Sequence, residues 1–318
     1  MERIVFLNSA KLDFDNQLSF SPLMELGTFT KYNNSSNDEI LERVKDQTIV
    51  ITKELPVGKD LIEKFPPSVK LICEAGTGYN NIDIEAAAKK GIKVCNVPGY
   101  STEAVAQLAI TFMLNLSSSM VMQQNMIKRN DFSNFTKYLQ VPHFELQNKT
   151  LGIIGTGTIG QQVIKIARAF GMNVLAYNRT PKEYEDPNIK SVSLEELFKG
   201  SDFISIHCPL TPDTKHLVDK DKLKLMKPTA FIINTARGPI IKEPDLIEAL
   251  ENGWIAGAGL DVQDPEPPEL DNPFFTMDNV ILTPHIGWKC YEARQRLIQI
   301  LAENIDSFIK EEPINIVK

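Results

Sequence analysis

Leu151-Gly152-Ile153-Ile154-Gly155-Thr156-Gly157-Thr158-Ile159-Gly160 is a short apolar strand that runs into Gly-x-Gly-x-x-Gly and then into a helix. This pattern is typical of the turn that binds the pyrophosphate of a dinucleotide. Gly155 permits the tight bend, Gly157 lets the backbone approach a phosphate, and Gly160 lets the helix pack close to the strand. The first amides of the helix then face the phosphates. Because Leu151 lies near the middle of the 318 residues, we expect a second domain beside the nucleotide-binding one.

The composition is that of an ordinary globular protein with room for two domains, since 42% of its residues are hydrophobic and 24% are charged. Lys and Arg number 34 and Asp and Glu number 41, so the net charge is −7. A mildly acidic chain without a basic run is a poor candidate for binding nucleic acid or an anionic membrane surface. No apolar stretch approaches the roughly 20 residues that span a bilayer, and the N-terminal apolar run is too short for a secretory signal.

The four cysteines, Cys73, Cys95, Cys208 and Cys290, are dispersed along the chain without the spacing of metal ligands. We therefore expect no metal site and buried, apolar roles for most of these thiols. Free thiols fit a reducing compartment, which indicates a cytoplasmic protein.

Short β-branched runs alternate with amphipathic stretches, which predicts parallel sheets covered by helices. Ser36 with Glu39, and Ser193 with Glu196, form capping boxes that predict helix starts. Strands are predicted at 4–7, 48–51, 69–73 and 93–97 before the glycine turn, and at 173–177, 203–207, 230–234, 256–261 and 280–282 after it. The fold class is therefore α/β, with two doubly wound parallel sheets. We place one domain at 1–100 plus 288–318, to which a helix at 291–309 returns, and the dinucleotide-binding domain at 101–287.

The stretch between the two predicted sheets starts as a buried helix at 103–116 and continues as an irregular segment at 117–147. Phe132, Phe135, Tyr138 and Phe144 are spaced along that segment. Such aromatic residues fit either a satellite of the core or an arm that docks on a second subunit. The second alternative corresponds to a homodimer, which is our working expectation.

Four segments place suitable chemistry at the carboxyl ends of predicted strands, where open parallel sheets bind ligands. Arg237, in the run 234–238, carries a guanidinium fork that matches a carboxylate, although most arginines lie on the surface. The turn at 76–80 contains two glycines and exposes amides that a small anion can use, although a plain turn has the same composition.

His285, in the run 283–287, is one of only four histidines. Reducing a ketone needs a proton donor near neutral pH, and an imidazole provides one. A neighbouring carboxylate would fix its tautomer, and Glu266, in the acidic run 261–267, can form that pair. The alternatives are a structural histidine and a solvated acidic loop.

Together these segments resemble the NAD(P)-dependent D-2-hydroxyacid dehydrogenases over nearly the whole chain. The matching motifs are the glycine turn, His-Cys-Pro-Leu-Thr-Pro-Asp-Thr at 207–214, Thr-Ala-Arg-Gly at 235–238, Leu-Asp-Val at 260–262 with Glu-Pro at 266–267, and Pro-His-Ile-Gly at 284–287. Their order and separations also match. The resemblance implies a flavodoxin-like substrate domain and a Rossmann cofactor domain, with an active-site cleft between them that closes over the ligands.

The resemblance also implies roles for individual residues. Arg237 would hold the substrate carboxylate, His285 would be the general acid/base, and Glu266 would support His285. Thr77 and Gly78 would offer amides to the carboxylate, and Tyr100 would lie at the substrate end of the cleft. Cofactor contacts would come from residues in several segments: Gly155, Gly157, Thr158, Ile159, Gly160, Asn178, Arg179, Thr180, Cys208, Pro209, Thr214, Thr235, Ala236 and Asp261.

One departure from the family pattern bears on the cofactor. NAD-using members carry an acid at the end of the second strand of the cofactor domain, whereas this chain has Tyr177-Asn178-Arg179-Thr180 there. Without a carboxylate a 2′-phosphate is not repelled, and Arg179, with Thr180 and Lys182, can bind it. The sequence therefore favours NADP(H) over NAD(H). In the alternative, Arg179 stacks on adenine and the enzyme accepts both cofactors.

The run Asn-Val-Pro-Gly-Tyr-Ser-Thr-Glu-Ala-Val-Ala-Gln at 96–107 resembles the hydroxypyruvate/glyoxylate reductase (glycerate dehydrogenase) branch, and Trp288 after the His-Ile-Gly run points the same way. That branch reduces hydroxypyruvate to D-glycerate and glyoxylate to glycolate. A D-lactate or D-3-phosphoglycerate dehydrogenase remains an alternative. Formate dehydrogenases have glutamine where Glu266 stands, which argues against formate. A nucleotide-sensing corepressor-like binding protein is the alternative from another class, and the presence of Arg237, Glu266 and His285 argues against it.

Overall fold

The computed structural model describes residues 2–317. The chain divides into two compact units, Met1–Ser101 with Trp288–Lys318, and Thr102–Gly287. Each unit is built on its own sheet, and all of the strand pairs in both sheets are parallel. The predicted α/β fold with two parallel sheets is confirmed.

The first unit contains five strands in the order β2-β1-β3-β4-β5, the doubly wound order of flavodoxin-like folds. The strands are β1 (Glu2–Phe6), β2 (Gly27–Lys31), β3 (Ile49–Thr52), β4 (Leu71–Glu74) and β5 (Lys93–Cys95). The helices are α1 (Ser21–Met24), α2 (Asn37–Arg43), α3 (Lys59–Ile62), α4 (Ile84–Lys89) and, after the second unit, α12 (Tyr291–Ile309).

The second unit contains seven strands in the order β12-β11-β10-β9-β6-β7-β8. The strands are β6 (Thr150–Ile154), β7 (Asn173–Tyr177), β8 (Ile189–Ser191), β9 (Phe203–Ile206), β10 (Phe231–Asn234), β11 (Gly257–Leu260) and β12 (Val280–Leu282). The helices are α5 (Thr102–Ser118), α6 (Met120–Lys128), α7 (Ser133–Thr136), α8 (Thr158–Ala169), α9 (Leu194–Gly200), α10 (Lys220–Leu223) and α11 (Glu243–Glu251). The chain order reverses between the neighbouring strands β6 and β9, and such a reversal point is where dinucleotides bind.

The sheet of the second unit is buried on both faces, because its strands send alternate apolar side chains to two separate clusters. One cluster includes Ile154, Ile204 and Ile232, and the other includes Ile153, Phe203 and Ile233. The loops that follow the strands therefore project from a rigid base.

Local capping follows the sequence. Glu39 N–H donates to Ser36 Oγ while Ser36 N–H donates to Glu39 Oε2, and Ser193 and Glu196 make the same reciprocal pair. Both predicted capping boxes are confirmed, and α2 and α9 begin directly after them.

Two parts of the chain differ from the prediction. The stretch 117–147 was expected to be irregular but contains α6 and α7. None of the residues of α6 is buried, so it has no apolar period to reveal it. Strand β2 was not predicted, because it is a short edge strand whose residues are half-buried or exposed.

No single helix in residues 2–317 is long and apolar enough to cross a membrane. The bent pair α5 and α6, whose axes differ by 61°, passes that test together on length and composition. Helix α5 contributes Phe112 and Met113, both buried, to the core of the second unit.

Candidate active site

A histidine and a glutamate meet beyond the carboxyl ends of β11 and β12. His285 Nδ1 lies 3.0 Å from Glu266 Oε2. The two side chains keep 30% and 36% of their surface exposed, so the pair is accessible from solvent. The sequence placed each residue after a strand, and the structure brings them into contact because those strands are neighbours in the sheet.

The loop that carries His285 is fixed by Asp261, which follows β11 and is 1% exposed. Its carboxylate accepts hydrogen bonds from Thr283 Oγ1 at 2.6 Å, Ile286 N at 2.7 Å and Gly287 N at 2.9 Å. His285 itself has a φ of 50°, in the left-handed region that few residues other than glycine adopt. Three hydrogen bonds around it therefore hold a costly backbone conformation that aims the imidazole.

Arg237 belongs to the same group of strand ends, after β10. Its guanidinium donates from Nη1 to the carbonyl of Ala236 at 2.7 Å, and Asn234 Nδ2 donates to the carbonyl of Arg237 at 2.9 Å. A Cβ on the next residue, Gly238, would come within 1.8 Å of Gln263 O. Only glycine therefore lets the arginine segment pack against the chain that leads to Glu266.

The charges of this group act on one another. Burial raises the pKa of Glu266, but the hydrogen bond and charge of His285, the Gln263 amide and the guanidinium charge of Arg237 outweigh it, and the pKa lies below its usual value. Glu266 is therefore a carboxylate at neutral pH. For Asp261 burial dominates and raises the pKa above its usual value, although the Thr283, Ile286 and Gly287 donors and the charge of His285 oppose it.

In the first unit, the turn after β4 carries the two amides that the sequence assigned to a carboxylate. Thr77 Oγ1 donates to Val97 O at 3.0 Å, and Asn96 Nδ2 donates to Thr77 O at 2.7 Å, so the turn is held by the residues after β5. Within residues 2–317 the amides of Thr77 and Gly78 donate to no protein acceptor. Tyr100 is 4% exposed, and its carbonyl accepts from Arg296 Nη1 at 2.6 Å.

The glycine turn has the geometry that a dinucleotide requires. Gly155 has a φ of +93°, and a Cβ there would lie 2.8 Å from Cys208 N, so β6 and β9 approach closely at the reversal point. A Cβ on Gly160 would lie 2.2 Å from Gly155 O. Gly157, the N-cap of α8, has no atom within 4 Å of its Cβ position. The open space in front of the uncapped helix start fits a pyrophosphate, and Thr158 and Ile159 form that first turn.

The residue at the end of β7 is tied to the glycine turn. Asn178 Oδ1 accepts from Thr156 N at 2.7 Å and from Thr156 Oγ1 at 2.9 Å. Tyr184 OH donates to Thr156 Oγ1 at 3.2 Å, and Lys182 Nζ donates to Thr156 O at 3.0 Å. The side-chain oxygen of Asn178 thus stabilises the glycine turn by accepting two hydrogen bonds from Thr156. Arg179 and Thr180 are exposed beside it.

The remaining sequence-predicted cofactor residues line the ends of β9 and β10. Thr214 Oγ1 donates to Pro209 O at 2.7 Å and closes the loop after Cys208. Burial raises the pKa of the Cys208 thiol to about 11, so it is protonated at neutral pH. Ala236 is half-buried, and the buried Thr235 hydroxyl has no hydrogen-bond partner among the residues that the structure describes.

Several contacts that shape these sites were not predicted from the sequence. Thr156, Lys53 and Tyr184 had no predicted role, and the hydrogen bonds by which Asp261 anchors the His285 loop were not predicted. No local motif marks these residues. Their partners are distant in sequence, as in the case of Tyr184 and Thr156.

Several known proteins are similar to the chain. The profile described as "D-isomer specific 2-hydroxyacid dehydrogenase, NAD binding domain" matches residues 110–287. The chain is 38% identical to a hydroxypyruvate reductase of Blautia hydrogenotrophica over 99% of both chains. It is 41% identical to a glyoxylate reductase of Thermococcus litoralis over 87% of this chain and 86% of that one. A solved acyclic imino acid reductase in complex with NADPH and D-Arg is similar with a TM-score of 0.88 at 31% identity, covering 99% of this chain and 100% of that one.

Proposed function

Because the chain belongs to the D-isomer specific 2-hydroxyacid dehydrogenase family, we propose that it reduces hydroxypyruvate to D-glycerate and glyoxylate to glycolate with a nicotinamide cofactor. The relatives named hydroxypyruvate reductase and glyoxylate reductase support this substrate class. The observation that most directly supports acid/base chemistry by His285 is the 3.0 Å hydrogen bond between His285 Nδ1 and Glu266 Oε2.

In this proposal His285 gives a proton to the oxygen of the 2-oxo group. With Nδ1–H donated to Glu266, the other ring nitrogen, Nε2, is the one that faces the substrate. Glu266 stabilises the protonated imidazole and fixes its tautomer. The bound nicotinamide supplies the hydride that reduces the keto carbon. In the reverse direction the neutral imidazole accepts the proton of the 2-hydroxy group.

Arg237 and the turn of the first unit bind the substrate carboxylate in this proposal. A guanidinium offers two parallel donors to a carboxylate, which fixes its orientation as well as its charge. Thr77 and Gly78 offer backbone amides, which are uncharged donors that help to orient the carboxylate. The oxo acid is thus held by its carboxylate while His285 acts on its C2 oxygen.

We further propose that NADP(H) is preferred over NAD(H). The end of β7 carries no carboxylate, and Arg179 is exposed there. Lys182, which now donates to Thr156 O, lies close enough to the glycine turn to add a second positive charge. The bound cofactor named for the solved imino acid reductase is NADPH.

A cytoplasmic homodimer completes the proposal. All four cysteines are free thiols, which suits a reducing compartment. Several large apolar side chains of the segment 120–139 are exposed, Phe135 by 74% and Tyr138 by 93%. Exposed apolar groups clustered in one segment are typical of an interface. Sedimentation equilibrium of the purified chain tests this, since a monomer at micromolar concentration would contradict it.

A panel of 2-oxo acids, each assayed with NADPH and with NADH, tests the proposed function. We expect the highest kcat/KM with hydroxypyruvate or glyoxylate and with NADPH. A clear preference for pyruvate or for 3-phosphohydroxypyruvate would instead indicate a D-lactate or D-3-phosphoglycerate dehydrogenase. Turnover of every acid no faster than that of a His285→Ala control would favour a binding protein.

A further inference from the structure

A buried lysine lies beside the carboxylate-binding turn of the first unit. The side chain of Lys53, directly after β3, is only 2% exposed. Lysines are almost never buried unless their charge is compensated, because desolvating an ammonium is costly. The buried charge of Lys53 lies next to a candidate substrate site and is therefore a candidate for a functional role.

The position of this lysine is fixed from both ends. Asn8 Nδ2 donates to Lys53 O at 2.6 Å, and Lys53 N–H donates to Asn8 Oδ1 at 2.9 Å. The next residue, Glu54, has a φ of 51° and donates its N–H to Glu74 Oε1 at 2.8 Å. Two buried side chains, those of Asn8 and Glu74, therefore hold the backbone at Lys53 and the left-handed conformation of Glu54.

The ammonium end is confined to a small space. Lys53 Nζ donates to Glu54 Oε1 at 2.8 Å and lies 4.0 Å from the centre of the Trp288 ring, which is 7% exposed. A Cβ on Gly76 would be 3.3 Å from Nζ. Gly76 directly precedes the amides of Thr77 and Gly78, so the positive charge lies against the start of that turn.

The ammonium of Lys53 can donate more hydrogen bonds than the one that it makes to Glu54. It carries three N–H groups, and within residues 2–317 Glu54 Oε1 is its hydrogen-bond acceptor. The Trp288 face attracts the charge without accepting a conventional hydrogen bond. An oxygen of a small ligand seated at the turn can accept from a remaining N–H.

We propose that Lys53 is a specificity-determining residue that donates a hydrogen bond to an oxygen on C3 of the 2-oxo acid. Hydroxypyruvate and pyruvate share the carboxylate and the C2 oxygen on which Arg237 and His285 act, and they differ only by the C3 hydroxyl. A group that distinguishes them must therefore lie outside that shared set. Lys53 is a buried cation next to the turn and outside that set.

This inference depends on the proposed function, and a substitution series tests it. Lys53→Met keeps the length of the side chain and removes its donors, and Lys59→Met, on the exposed face of α3, is the matched control for a lost charge. The ratio of kcat/KM for hydroxypyruvate to that for pyruvate should fall roughly 10- to 100-fold in Lys53→Met. The ratio should not change in Lys59→Met.

A purely structural role of Lys53, such as neutralising Glu54 and Glu74, gives a different result. Both substrates would then lose kcat/KM equally, and an unchanged ratio would overturn the inference. Lys53→Gln retains a donor without the charge and should recover part of the ratio. Circular dichroism shows whether Lys53→Met folds. If it does not, Lys53→Gln is measured in its place, and it should lower the ratio of kcat/KM for hydroxypyruvate to that for pyruvate, although by less.

Tryptophan fluorescence gives a readout that needs no turnover. The chain has two tryptophans, so Trp254→Phe leaves Trp288 as the only emitter. With oxidised cofactor present, hydroxypyruvate should change the Trp288 emission more than pyruvate does, and equal changes would overturn the inference. If the enzyme reduced neither acid, the proposed function would fail, and this titration would still report on Lys53.

Discussion

Replacing Glu266 by glutamine removes the charge of the glutamate while keeping its size. Glu266 Oε2 is 3.0 Å from His285 Nδ1, and its pKa lies below the usual value, so the native side chain is negative at neutral pH. Glutamine can still accept a hydrogen bond, but it no longer attracts the protonated imidazole. Glutamine therefore does not stabilise the positive charge of the imidazole that gives the proton.

The magnitude follows from distance and exposure. Two unit charges about 4 Å apart attract by about 1 kcal/mol in water and by about 4 kcal/mol at an effective dielectric constant of about 20. The side chains keep 30% and 36% of their surface exposed, so solvent screens the pair and about 1–3 kcal/mol is a suitable range. That corresponds to a roughly 10- to 100-fold effect on the rate.

The assay is kcat/KM for hydroxypyruvate reduction across pH, for wild type, Glu266→Gln and Glu269→Gln. Glu269 is an exposed acid in the same loop and controls for lost charge. We expect kcat/KM of Glu266→Gln at neutral pH to be roughly 10- to 100-fold lower than that of the wild type. If the profile of Glu266→Gln coincides with that of Glu269→Gln, the charge of Glu266 does not support His285.

Three further substitutions have defined outcomes. Arg237→Met should lower kcat/KM for the oxo acid by roughly two to three orders of magnitude, mostly through KM, because an unpaired carboxylate remains in the site; initial rates with an unchanged KM would contradict the role. Arg179→Ala should raise the KM for NADPH roughly 10-fold more than that for NADH, and equal increases would contradict the phosphate assignment. His207→Gln tests a contribution to stability. Burial lowers the pKa of His207 to about 4, whereas the pKa of a histidine in the unfolded chain is about 6.5. The unfolded chain therefore binds more protons in that window, so acidification from about pH 6.5 to about pH 4 should cost the wild type about 3 kcal/mol that His207→Gln does not lose. Urea unfolding at both pH values measures this, and parallel losses would refute it.

Much of the fold followed from local pattern. The glycine turn and the alternation of apolar runs predicted two parallel sheets, and β7, β12 and α12 match the predicted ranges residue for residue. Helix α6 and strand β2 were not predicted, because a helix without a buried face and a short edge strand leave no clear apolar period.

The candidate site was predictable where it depends on strand ends. Glu266 and His285 follow adjacent parallel strands, so their meeting follows from the topology once the strands are identified. The burial of Lys53 did not follow, since Asn8 and Trp288, which enclose it, lie far away in sequence. Likewise, nothing local shows that Asp261 anchors the loop of His285 through three hydrogen bonds.

His285 is the proton donor to a 2-oxo acid in the proposed function, and His285→Gln tests that role directly. Single-turnover reduction of hydroxypyruvate by enzyme saturated with NADPH isolates the chemical step, and cofactor fluorescence measures the Kd for NADPH in the same variant. We expect the rate to fall by roughly 10²–10⁴-fold, with the Kd for NADPH unchanged. A rate close to that of the wild type across the pH range would contradict the account.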